Sequence, residues 1–152
     1  MAGPTIKFAK DAAEDEYRRQ RVSDWPDSKV VGKIAAMKGE FHGAHRFDGV
    51  KRLAFERMLR FGLERGRTIV LVLPVSPAYS KEFMPLKTAQ DFEQTLTDLQ
   101  NKAPRSEWLR LDRLPGLATS ENFCDLDHLN SYGRQIASEA FRTWLMRRTH
   151  EP

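Results

Sequence analysis

Cysteine is nearly absent from this chain. Cys124 is the only one in 152 residues, so no internal disulfide can form and any fold must rest on packing. Long apolar runs are missing as well. No stretch approaches the roughly 20 apolar residues that a membrane-spanning helix needs, and the first residues lack the apolar core of a signal peptide. Blocks of like charge are equally scarce. The formal charge is +4 and the pI about 9.4, yet the like-charge blocks are no longer than Arg18-Arg19 or Arg147-Arg148. A nucleic-acid binder would set out a basic face interleaved with exposed aromatics. Here Lys and Arg are scattered among acids, which reads as a solvated surface with no nucleic-acid partner. Internal repeats and low-complexity tracts are absent too.

What is present fits one soluble globular domain with a core: 40% hydrophobic and 30% charged residues. The compartment stays open, because a single thiol tolerates either side of a membrane. Residues 1–46 read as a poorly defined lead-in. The charged stretch 11–21, with Tyr17 among its few apolar marks, suits either a short surface helix or an unfolded segment. Trp25-Pro26-Asp27-Ser28 is a turn signal. Residues 30–37 fit either a short strand or a helical turn, and Gly39 to His45 reads as loop.

From residue 47 to 148 the pattern is clearer. Asp48 is the expected N-cap of a helix whose apolar stripe is Val50, Leu53, Ala54, Met58, Phe61 and Gly62, ending at Gly66. Residues 68–73 follow as Thr-Ile-Val-Leu-Val-Leu, apolar on both faces, the mark of an interior strand in a parallel sheet. Pro74 and Pro77 stop it. A loop over 75–87 leads to a helix capped by Thr88, with Asp91 completing a weak capping box. Its buried face is Ala89, Phe92, Leu96, Leu99 and Ala103. Residues 107–111 make a shorter, more polar strand, expected at a sheet edge. A final helix begins after the N-cap Asn130 and buries Ile136, Ala137, Ala140, Phe141, Trp144 and Leu145. Helix and strand alternate, so right-handed crossovers should make the strands parallel. The fold class is therefore α/β, although two clear strands are few for a self-standing doubly wound sheet.

The chemistry concentrates in Phe123-Cys124-Asp125-Leu126-Asp127-His128-Leu129-Asn130. Histidine is the side chain best suited to move protons near neutral pH. A carboxylate three residues upstream in a turn can reach its ring and fix its tautomer. Asp125 has that spacing to His128, whereas the adjacent Asp127 is expected to point away. On spacing alone a second reading fits equally well: Asp125 and Asn130 act only as turn and cap residues, with His128 packed at the helix entry. Metal binding by Asp125, Asp127 and His128 is a third, weakened by the lack of another ligand cluster nearby. Cofactor and metal are otherwise not called for. Ser76 sits at the end of the strand where ligands bind in α/β sheets, but between two prolines it lacks the Gly-x-Ser-x-Gly elbow. His42 and His45 read as surface residues, Cys124 as buried packing, and Tyr79 and Phe83 fit either the wall of an acyl pocket or ordinary packing.

The run Phe123-x-Asp125-x-x-His128-Leu129-Asn130-x-x-Gly133 resembles the terminal motif block of the SGNH, or GDSL-like, hydrolase superfamily, including acyltransferase branches such as the D-alanyl transfer and alginate O-acetyltransferase-like proteins. Upstream to residue 47 the likeness is one of element order and spacing. The resemblance implies a flavodoxin-like three-layer sandwich, a parallel sheet with helices on both faces, present here in part. It implies His128 as general base and Asp125 as the residue that orients it. It implies an acyl-ester substrate, a small molecule or a polysaccharide of the cell envelope. The family's Gly-Asp-Ser nucleophile block and its Gly and Asn oxyanion donors have no counterpart in this sequence. The chain is therefore expected to be a C-terminal segment or a degenerate paralogue, with a non-catalytic interaction module as the alternative. A missing first half would leave an exposed sheet edge or apolar face, open to self-association or to cover by residues 1–45.

Overall fold

A computed structural model of the chain describes residues 12–41 and 47–149. Its helices are α1 (Ala12–Arg19), α2 (Asp27–Phe41), α3 (Gly49–Arg65), α4 (Pro77–Phe83), α5 (Leu86–Lys102) and α6 (Ser131–Thr149), and its strands are β1 (Ile69–Val72) and β2 (Glu107–Arg110). The described chain is mostly helical around a small sheet. β1 and β2 pair in parallel, with Ile69 opposite Glu107 and Val72 opposite Arg110, as the α/β alternation predicts. The other edge of β1 has no strand partner among the described residues.

Two apolar clusters flank this sheet. Leu59, Leu99 and Ala103 pack with Phe55, Leu63, Val70 and Trp108, which joins α3 and α5 to one face. Leu109, one residue along β2 and so turned to the opposite face, packs with a larger core. That core contains Val22, Met37, Tyr79, Phe83, Leu111, Leu117, Phe123, Leu126, Leu129 and Ala137. The site loop supplies three of those residues, so the loop is part of the core and not an appendage to it.

Several expectations are corrected. Of the two readings open for residues 30–37 the helical one holds, since they lie inside α2; the helix also runs on through Gly39 to Phe41, where loop was expected. Pro26 therefore immediately precedes a helix, its carbonyl accepting from the Lys29 amide at 2.9 Å, and Asp27 places an acid in the first turn. His42 and His45 lie outside the described residues. The loop over 75–87 contains α4, which Ser76 caps by accepting from the Tyr79 amide at 3.2 Å, with Pro77 in the first turn. Thr88 is not a cap, because α5 begins earlier, at Leu86, and leaves Thr88 buried in its first turn.

The largest correction concerns α3. Its expected buried stripe faces outward: Val50 is 82% exposed, Met58 68% and Phe61 57%. The buried side is instead Phe55, Leu59 and Leu63, one helical turn apart. The helix is apolar on two sides, and packing against Leu99, Ala103 and Trp108 buries one of them. Arg52 bonds Glu56 and Asp98 at 3.2 and 3.3 Å, and Lys102 reaches Glu56 at 2.8 Å. These pairs run along the same α3–α5 seam. Gly62 remains at a close approach, where an added Cβ would lie 2.7 Å from Thr68 Oγ1.

Candidate active site

The site loop lies between a 3-10 turn (Ser120–Asn122) and α6. An antiparallel bridge between Phe123 and Leu129 closes its neck. The Cys124 amide bonds the His128 carbonyl at 3.0 Å, and the Asn130 amide bonds the Asn122 carbonyl at 2.9 Å. Phe123, Cys124 and Leu126 are fully buried. Burying these apolar groups fixes the loop; Asp125 between them is buried as well, and only Asp127 and His128 of the loop reach the surface.

Asn130 caps α6 as its sequence position predicts, with Oδ1 accepting from the Tyr132 and Gly133 amides at 3.0 Å each. Asn122 supports the loop from below, its Nδ2 donating to the Gly116 and Leu117 carbonyls at 2.8 and 3.1 Å. Gly133 is required where it stands. A Cβ there would collide with the Asn122 carbonyl and sit 2.8 Å from Leu129 Cδ2.

Asp125 does both things that its spacing allows. Its Oδ1 accepts from the Asp127 amide at 3.0 Å and the His128 amide at 2.7 Å, an Asx-type turn. The same carboxylate faces the imidazole, with His128 Nδ1 3.1 Å from Oδ1 and 3.0 Å from Oδ2. The turn reading and the catalytic reading are thus one geometry: the turn brings the ring to the carboxylate. Facing two carboxylate oxygens, the tautomer that suits this geometry keeps its proton on Nδ1 and leaves the Nε2 lone pair free. The His128 side chain is 69% exposed, and its Nε2 has no hydrogen-bond partner among the described residues.

Burial pushes the Asp125 carboxyl upward. Hydrogen bonds from Tyr17, from the Asp127 and His128 amides and from the imidazole outweigh that effect and lower it to about 2. Asp127 does not point away as expected. Its Oδ1 lies 3.4 Å from His128 Nδ1, and partial burial together with the Asp125 charge raises its carboxyl. Asp125, Asp127 and His128 offer one potential metal-ligand atom each within 4.8 Å of one another, although the Asp125 oxygens already accept the bonds just described. Cys124 is buried packing: its Sγ lies 3.4 Å from the His128 carbonyl, and burial and the Asp125 charge raise its thiol.

Ser76 is fully buried, and its hydroxyl is occupied as the α4 cap. It is not a nucleophile. Its amide donates to the Leu126 carbonyl at 3.0 Å, which ties the carboxyl end of β1 to the site loop. Beside that tie lies a cavity of about 500 Å³, walled by Leu73, Val75, Tyr79, Met84, Ala89 and Phe92. Tyr79 lines it as sequence reasoning allowed. Phe83 instead packs in the core, 4.8 Å from the Tyr79 ring. Glu93 and Asp112 form the polar end of the cavity, and Arg110 bonds both.

Fold and site together define a class: a small α/β domain with parallel strands, carrying an Asp-His pair in the connection before its last helix. No family model, no curated protein and no solved structure matches the chain. The residue that sequence reasoning missed is Tyr17, whose hydroxyl donates to Asp125 Oδ2. The two positions are 108 residues apart, and a tyrosine in a charged stretch carries no local sign of such a partner.

Proposed function

We propose that this chain is the carboxyl-terminal part of an SGNH-type serine esterase or O-acyltransferase, whose two strands belong to a flavodoxin-like three-layer sandwich. The observation that carries the reading is the Asp125–His128 pair, with Nδ1 held on the carboxylate and Nε2 open to solvent. The substrate class is an acyl ester, a small molecule or an ester-decorated polysaccharide, with its acyl group in the apolar cavity beside Val75 and Tyr79.

In the reaction, a serine Oγ adds to the acyl carbonyl as His128 Nε2 takes its proton. The ester C–O bond then breaks, and the same proton passes to the departing alkoxide. Water or an acceptor hydroxyl completes the cycle by attacking the acyl-serine. Asp125 stabilises the imidazolium and does not itself take the proton. The serine comes from outside the described residues. The free edge of β1 accepts a further parallel strand, whose carboxyl end would lie at the same side of the sheet as His128.

An activated phosphonate ester tests this. The chain alone should show no serine labelling. When a polypeptide with a serine at the carboxyl end of a strand is supplied in cis or in trans, labelling should appear and vanish in His128→Ala. Labelling of the chain by itself would show that it already holds its nucleophile. A second reading, a non-catalytic α/β interaction module that also pairs with its own copies, draws on the exposed face of α3 and the open β1 edge. It predicts that His128→Ala leaves every activity unchanged.

A further inference from the structure

We propose that Tyr17 is a positioning residue for the Asp125–His128 pair, and that residues 17–22 form a strap locking the site loop. The inference deepens the esterase reading by adding a third member to its proton-handling group, drawn from the other end of the chain. The strap touches the loop on both sides of the pair. The Val22 amide donates to the Phe123 carbonyl at 2.9 Å, and Val22 itself is buried. Asn130 Nδ2 donates to the Gln20 carbonyl at 3.1 Å. Ser131 Oγ donates to the Arg18 carbonyl at 3.2 Å. The Arg21 guanidinium lies 4.8 Å from the centre of the Tyr132 ring. These anchors bracket the stretch from Phe123 to Tyr132 and deliver the Tyr17 hydroxyl to Asp125 Oδ2.

The placement has a chemical consequence. An ionised carboxylate has about four acceptor sites. Two backbone amides occupy Oδ1, and Tyr17 takes one site on Oδ2. The carboxylate is therefore held from three directions, and the imidazole meets a surface that cannot rotate away. Fixing a general base in one orientation is what proton transfer in a defined geometry requires. Burial and the Asp125 bond also raise the Tyr17 phenol, so the hydroxyl stays a donor through the working range. Asp127, His128 and Cys124 are the other titratable groups around this carboxylate.

The test reads the pair directly and needs no substrate. In Tyr17→Phe the ring and its packing remain and only the donor is lost. Carbon-detected NMR titration of Asp125 should show its midpoint rising by about one unit, and the low-field His128 Nδ1 proton should exchange faster with water. Ser131→Ala, which cuts a strap anchor without touching the pair, should leave the Asp125 midpoint in place. A folded Tyr17→Phe with unchanged Asp125 midpoint and Nδ1 proton overturns the proposal. So does an equal change in Ser131→Ala, which would reduce Tyr17 to a part of the strap. Neither result depends on phosphonate labelling, so the two readings fail separately.

Discussion

The site loop and the α3–β1 flank are built on opposite terms. The loop has no regular secondary structure beyond one bridge, yet Phe123, Cys124 and Leu126 are fully buried and its polar groups are bonded repeatedly. The flank consists of a long helix and an apolar strand. It nevertheless leaves Val50, Met58 and Phe61 in solvent, with Leu71 exposed on β1 and Leu73 just beyond it. Regular structure and burial are therefore separate properties in this molecule. A helix closes its backbone hydrogen bonds internally and β1 closes one row of them on β2, whereas burying the side chains on their outer faces needs a further neighbour. The loop has neighbours in α4, α6 and the strap. The outer face of α3 has none among the described residues.

That contrast can be broken or sharpened by mutation, beginning with the largest expected effect. Phe123→Ala removes a fully buried ring and should cost about 3–5 kcal/mol in chemical denaturation. A loss below about 1 kcal/mol would mean that the loop is not part of the cooperative core. Gly133→Ala forces a Cβ onto the Asn122 carbonyl. It should destabilise the chain by about 1–3 kcal/mol, and an unchanged melting temperature would contradict the close approach of α6 to the loop.

The next effect is one of pH. The Asp125 carboxyl is depressed from an ordinary 3.8 to about 2 in the folded chain. A depressed carboxylate adds stability that is fully present above its unfolded value and is lost as pH falls through its folded value. Stability should therefore drop between about pH 4 and pH 2. Glu93, held down to about 2 by Arg110 despite partial burial, contributes over the same range, so the informative quantity is a difference. Asp125→Asn should flatten the acid loss relative to the parent chain, and identical profiles would remove the carboxylate from the account.

The smallest effect belongs to the flank. Met58→Lys and Phe61→Lys should each change stability by less than about 0.5 kcal/mol, since both side chains are already in water. Sedimentation should show less self-association in the pair variant. A large loss of stability would mean that this face is covered after all.

Much of the site was legible in the sequence because its geometry is local. Asp125 reaches His128 across three residues, and Asn130 caps the helix that follows immediately. Such short-range hydrogen bonds need only backbone turn preferences to form. Parallel pairing was legible for a related reason, since an apolar run followed by a helix and a second strand leaves few connections of the right hand. The buried side of α3 was not legible. The helix is apolar on two sides, and the choice rests on which of them meets Leu99, Ala103 and Trp108 from elements distant in the chain. Nor was α2, where Val30, Val31, Ile34 and Met37 fit a strand or a helix over so short a window.

The sequence by itself determined the Asp-His turn and the cap of the last helix, because each follows from neighbours in the chain, and the parallel order of the two strands, because a right-handed crossover leaves few alternatives. Tertiary structure alone decided which face of α3 is covered, that Ser76 is a buried cap and not a nucleophile, and that Tyr17 meets Asp125. These outcomes depend on which distant surfaces come together. That is set by the burial and hydrogen bonding of the whole chain, and no short stretch of sequence encodes it.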